Sequence, residues 1–255
     1  MTWRSLVAAA IAAGLVGSVA AASAGGGTSA NSSAKPLIMA VIGDTPYGAD
    51  QADPATFQAL LDDIAADPKV RSVVHVGDIK NGSTRCDDAY FDQIATVFAA
   101  SKEPVVYTPG DNEWTDCHRP DNGGYDPYGR LDELRSTFFD QAGKTLGRRP
   151  MTVTSQGGDF VENVRWIESR VVFTTVHVVG SNNGLAQWTG DLETPENAAR
   201  REAEVAARID AATAWIDQAF DAAESTNAEG VVLAMQADTF ETTPVLPGFV
   251  EIVER

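Results

Sequence analysis

Apolar residues arrive in this chain in two rhythms. The unbroken runs PLIMAVIGD, VRSVVHVGD and EPVVYTPGD each finish on Gly-Asp or Pro-Gly-Asp. Continuous apolar runs of this length, bounded by turn residues, predict buried strands. Between the first two, Phe57, Leu60, Leu61 and Ile64 recur at the helical period, and Phe91, Ile94, Val97 and Phe98 do the same before the third. The order strand, helix, strand, helix, strand predicts an α/β chain with a parallel sheet and helices on both faces. Functional groups are then expected at the carboxyl ends of the strands.

The rhythm breaks after the third strand. NEWTDCHRPDNGGYDPYGR is dense in Gly, Pro, Asp and Asn, and a loop of that length is usually functional or disordered. Its aromatics Trp114, Tyr125 and Tyr128, with Cys117 as a staple, favour an ordered active-site loop. A helix follows near Leu131 to Phe139. FVENVRWIES and RVVFTTVHVVG predict an antiparallel pair turning at Glu168 to Arg170, the start of the second half of the sheet. Val205, Ile209, Ala212, Ile216 and Phe220 mark one face of a long helix from Pro195 to Ala223. GVVLAMQAD reads as a further buried strand, and PGFVEIVER as the opening of another helix.

The first 24 residues follow a different logic: Arg4, the apolar run Leu6 to Val19, then the small residues Ala22, Ser23 and Ala24. That pattern predicts a secretory signal peptide. Residues 25–34 predict a flexible linker, and residues 35–255 a single α/β domain. No Cys follows the apolar run to accept a lipid, so no membrane attachment is expected once the leader is removed. The formal charge is −17, and loss of Arg4 leaves −18. So acidic a chain is unsuited to wrapping a nucleic-acid backbone, though not to a small phosphorylated substrate. Cys86 and Cys117 both lie in the exported portion, where a single disulfide is expected; two separate buried thiols are the alternative.

Gly before Asp lets the backbone turn sharply while the carboxylate projects above the sheet. Three such carboxylates side by side repel one another unless a cation sits among them. One Gly-Asp alone is weak evidence, because Asp also serves turns and helix caps. The set, spaced by strand-helix units, carries more.

With these motifs in place, the chain from Leu37 to about Phe240 resembles the calcineurin-like metallophosphoesterases, whose two-metal site is assembled from strand-end loops in this order. The resemblance implies that Asp44 of GDTPY and Asp78 of VVHVGD are metal ligands, with Pro46 where the family has a histidine. In PGDNEW one register makes Asp111 the ligand and puts Asn112 in the place of the catalytic histidine; a shifted register makes Asn112 the ligand. In LAMQAD, Gln236 or Asp238 stands where the family places a metal-binding histidine. The family's last motif, Gly-His-x-His, would fall beyond Arg255, so the expected fold is incomplete at its C-terminal end or the site is formed differently.

Of the three histidines, His75 and His177 sit within buried strands and read as core residues. His118 in the irregular loop is the candidate general acid. Tyr47, Lys80, Asn81 and Asn182 are candidate phosphate contacts. An oxygen-rich shell favours one or two Mg²⁺, Mn²⁺ or Ca²⁺ ions, with zinc and iron still open. The expected function is secreted, metal-dependent hydrolysis of phosphate esters; the alternative is a non-catalytic metal- or phosphate-ligand-binding protein on the same fold. Substrate subclass and oligomeric state stay open.

Overall fold

The computed structural model describes residues 36–47 and 54–255; the expected leader and linker lie outside the described residues. Strand β1 (Ile38–Ile42), helix α1 (Pro54–Ala66), β2 (Val70–His75), α2 (Asp88–Ala100) and β3 (Val105–Tyr107) form two crossover units. Their strands pair in parallel in the order β1-β2-β3. After the long loop come α3 (Pro127–Phe138), the short β4 (Thr154–Ser155), and the antiparallel β5 (Val164–Glu168) and β6 (Val171–Thr175). A single helical turn, α4 (Gly180–Asn183), and the long α5 (Pro195–Thr226) then lead to β7 (Gly230–Ala234), which lies parallel to β6. The short α6 (Val250–Glu254) follows.

The β5-β6 pair does not extend the first sheet, as the strand pattern alone suggested. It belongs to a second sheet of order β4-β5-β6-β7. The two sheets pack face to face: Val74 and Val106 of the first meet Val164, Trp166 and Phe173 of the second in one apolar cluster. Alternation along β2 explains the layering, because Val73 faces the helices while Val74 faces the other sheet. Phe57, Leu61, Phe91, Ile94, Phe98, Leu131 and Leu134 of α1, α2 and α3 cover the outer side of the first sheet. Val205, Ile209, Ala212 and Ile216 of α5 cover that of the second. Both expected helical faces are therefore present, around two sheets rather than one.

Local chemistry sets the element ends. Thr194 caps α5 by accepting from the backbone N–H of Asn197 at 3.2 Å, with Pro195 at the first helical position. Asn227 closes the helix in the left-handed conformation. The β5-β6 turn is made by Ser169 and Arg170, both at positive φ (50° and 66°), the backbone of a two-residue hairpin turn. Phe220, which the helical period assigns to the buried face of α5, is 51 % exposed; Trp215, Ile216 and Ala219 form the stripe there instead. No helix among the described residues is long and apolar enough to cross a membrane.

Candidate metal centre

The loops after β1, β2 and β3 meet above the first sheet. Asp44 donates its backbone N–H to the Gly77 carbonyl at 3.2 Å, tying the first loop to the second. His75 completes that tie. Its Nδ1 accepts from the Gly77 N–H at 3.2 Å, which leaves the proton on Nε2 to donate to the Thr45 carbonyl at 2.7 Å. Asp44 and Asp78 themselves take the left-handed backbone conformation, at φ 53° and 56°. The sharp turn that the sequence assigned to the preceding glycines is thus shared by the aspartates, a conformation Asp tolerates better than most residues.

The second and third loops approach most closely at Gly77 and Gly110. A Cβ on Gly77 would lie 2.6 Å from the Gly110 nitrogen, and one on Gly110 would lie 2.1 Å from Asp78 Oδ1. No larger residue fits at either position without moving both loops.

Beneath this contact lies Glu113, fully buried. Its Oε1 accepts from the Gly110 N–H at 2.7 Å, the Tyr107 hydroxyl at 2.9 Å and the Asp78 N–H at 3.0 Å. It is the main functional residue that residue-by-residue reading of the sequence passed over. Lys80 is also enclosed, with Nζ donating to the Asn112 carbonyl at 2.7 Å and the Asn81 carbonyl at 3.0 Å. Burial lowers its ammonium to about 8.

Asp78 is the hub. Its Oδ2 accepts from Asn112 Nδ2 at 2.9 Å, the Tyr47 hydroxyl at 3.2 Å and Gln236 Nε2 at 3.3 Å. The same Gln236 Nε2 donates to Asp111 Oδ1 at 3.2 Å. Asp111 Oδ2 accepts from the Ser181 hydroxyl at 2.9 Å. Burial, then the charges of Glu113, Asp111 and Asp44, push the Asp78 carboxyl up to about 9. Buried Asp116, paired with Arg119 at 2.8 Å and joined to Ser181 at 2.8 Å, is raised by burial and by Asp111 to about 6.

The structure therefore brings together Asp44, Asp78, Asp111, Tyr47, Asn112 and Gln236. Other sequence candidates stand elsewhere. Lys80 lies under the cluster, where it offsets charge but is closed to a substrate. Asn81 accepts from the backbone and hydroxyl of Ser83 in a tight turn. Asn182 Oδ1 accepts from the Gly248 N–H at 2.9 Å. Asp238, exposed, caps a turn by accepting from the Phe240 N–H at 2.9 Å. His118 Nδ1 accepts from the Thr189 N–H at 3.0 Å and its ring stacks on Trp188. Burial and the cations Arg119 and Arg201 hold it down at about 4. It is a neutral packing group rather than a proton donor at neutral pH.

The donor set decides what ion it suits. Among the described residues no three or more His, Cys, Asp or Glu side chains stand together as a ready-made metal shell. What converges is carboxylate and amide from separate loops, with more negative charge than Lys80 and Arg119 compensate; Glu113 Oε2 is buried without any partner. Oxygen donors of this kind are compatible with a divalent cation of the sort the family binds.

Two structural supports yield predictions. Cys86 and Cys117 form a disulfide, both buried, that ties the second loop to the third. It closes a segment of 31 residues, so replacing both cysteines by Ala is expected to reduce stability by roughly 3–4 kcal/mol in urea unfolding. The second concerns acid. His75, His118 and His177 are all buried and all titrate below the usual histidine range: burial holds His75 and His118 at about 4 and lowers His177. The unfolded chain protonates its histidines from about pH 6.5 downward while the folded chain does not, so the histidines' contribution to stability is full above that value and is lost between about 6.5 and 4, whereas Asp78 and Asp116, raised to about 9 and 6, contribute in the opposite sense as pH falls. His75 alone accounts for about 3 kcal/mol of that loss. The stability difference between the wild type and a folded His75→Gln variant, in which the other groups cancel, should therefore shift against the wild type as pH falls; a difference that stays level from pH 7 to 4.5 would contradict this.

The geometry agrees with comparison to known proteins. The family profile described as calcineurin-like phosphoesterase matches residues 39–208. That span carries all three strand-end loops, Glu113 and the Ser181 turn. No curated protein matches the sequence significantly. With two thirds of its length matched, the chain belongs to the calcineurin-like phosphoesterase family.

Proposed function

We propose that the protein is an exported hydrolase of phosphate esters that works with a hard divalent cation. The observation that carries this reading is the linking of Asp78 and Asp111 through Gln236, with Asp44 close enough for its charge to act on Asp78, whose carboxyl burial and these neighbours raise to about 9. Carboxylates assembled against their own repulsion are what a cation site requires.

Asp44, Asp78 and Asp111 would hold the ion, and Mg²⁺, Mn²⁺ or Ca²⁺ suits their oxygens. When bound, such an ion polarises the phosphoryl group and lowers the pKa of water. The protein's own contribution is position. Glu113 fixes the Asp78 turn through three bonds, and Lys80 pins the Asn112 carbonyl. The Asn112 amide and the Tyr47 hydroxyl, 2.8 Å apart and open to solvent, are neutral groups that would turn from Asp78 to donate to an approaching phosphate. Export rests on the amino-terminal pattern, with which the disulfide and the lack of a spanning helix among the described residues are compatible.

One observation favours a second reading, ligand binding without turnover: Asn112 and Gln236 give N–H groups to the carboxylates where the family has histidines. Phosphate release from an aryl phosphate, tested with each ion and after chelation, separates the two. Metal-dependent release supports the hydrolase. Binding of inorganic phosphate with no release under any ion supports the binder.

A further inference from the structure

Gln236 stands between two carboxylates. Its Nε2 lies 3.3 Å from Asp78 Oδ2 and 3.2 Å from Asp111 Oδ1, so each amide hydrogen is directed to one of them. The orientation of the amide is not arbitrary. Its Oε1 accepts from the Gly180 N–H at 2.6 Å, and a backbone N–H can only donate, so the oxygen must face Gly180 and the NH₂ must face the carboxylates.

Gly180 is itself held. It opens α4, where Ser181, Asn182, Asn183 and Gly184 all take positive φ, and Arg208 grips that turn through the Asn183 carbonyl at 2.7 Å. Ser181 bonds Asp111 from the same turn. The amide is thus clamped from one side by backbone and from the other by two anions.

We propose that Gln236 makes this centre mononuclear, its amide filling the gap between Asp78 and Asp111 that a second cation would need. The inference rests on the metal-dependent reading above and restricts it to one hard divalent ion per chain. The NH₂ group relieves carboxylate repulsion as a neutral double donor. A cation entering the gap would face those two hydrogens, and turning the amide to present oxygen would set its NH₂ against the Gly180 N–H. Asn112 Nδ2 and the Tyr47 hydroxyl also occupy Asp78 Oδ2, so the carboxyl oxygens facing the gap are already supplied with donors.

The test is calorimetric titration of Mn²⁺ into the chelator-stripped full chain, with electron paramagnetic resonance of the loaded protein. The wild type is expected to take one ion and give the signal of an isolated Mn²⁺. Gln236→Glu, of the same shape but with a carboxylate in the gap, is expected to take two and show coupling between them. Two ions on the wild type would overturn the proposal while leaving the metal-dependent reading intact. No ion on the wild type would overturn both, and a folded Gln236→Glu still at one ion would overturn the role of the amide. Circular dichroism reports whether that variant folds; if it does not, the wild-type stoichiometry decides.

Discussion

Arg208→Met is expected to lower stability by about 3 kcal/mol, on the order of 10 °C in melting temperature. Arg208 is fully buried. It donates to Glu204 at 2.8 and 3.2 Å, to the His177 carbonyl at 3.3 Å and to the Asn183 carbonyl at 2.7 Å, and it bonds Asn183 Oδ1 as well. Its guanidinium also covers the Trp114 ring at 5.2 Å. Met keeps the packing volume but removes the donor to the buried Asn183 and His177 carbonyls, and a buried acceptor so stranded costs about 1–3 kcal/mol. The loss is concentrated where the backbone is least able to hold itself. Each non-glycine residue in the left-handed conformation costs roughly 1–2 kcal/mol, and Ser181, Asn182 and Asn183 are three in succession. Because that turn carries the Gly180 and Ser181 contacts to Gln236 and Asp111, the variant is also expected to lose activity. Arg208→Lys should not rescue it, since a point donor cannot span Glu204 and Asn183 together. Urea unfolding of the three proteins checks the ranking.

The same turn shows where the sequence is legible and where it is not. The strand ends at Asp44, Asp78 and Asp111 were visible because apolar runs terminate there and the Gly-Asp pattern recurs. The crossover helices were visible from their periodicity. Two sheets instead of one could not be read off, because a strand facing another sheet and one facing a helix are equally apolar; Val73 and Val74 differ only in what lies opposite. Ser181 gave no signal, since SNNG reads as an ordinary loop until the Gly180 N–H just before it is seen to bond Gln236, 56 residues away. His118 drew notice as a titratable residue beside a cysteine in a polar loop. Its burial against Trp188 and its bond from Thr189 depend on a segment some 71 residues further along. Glu113 was hidden for the opposite reason: a single Glu after Asp-Asn looks like surface, and only the meeting of the second and third loops encloses it.

Asp78→Asn is expected to separate stability from function. Asn tolerates the positive φ of 56° found here. It removes a carboxyl whose ionisation burial, Glu113, Asp111 and Asp44 all oppose. With that carboxyl raised to about 9, the ion-free folded chain must take up a proton there at neutral pH, a cost the amide does not carry, so Asn should raise the melting temperature. On the proposed reading this carboxylate holds the cation, and a cation's contribution of several kcal/mol to a phosphoryl transition state corresponds to a rate loss on the order of 10³ when its ligand is removed. A gain in stability with a loss of rate is the signature of a group kept for function.

Parallel assays of phosphate release from an aryl phosphate, by the wild type and by Asp78→Asn in the presence of Mn²⁺, address the central claim most directly. The wild type should release phosphate with the ion and stop when it is chelated, while Asp78→Asn, folded and at least as heat-stable, should release on the order of 10³-fold less. Equal release by the two proteins, or release by the wild type that chelation leaves unchanged, would contradict the assignment of the Asp44, Asp78 and Asp111 cluster as the reactive centre.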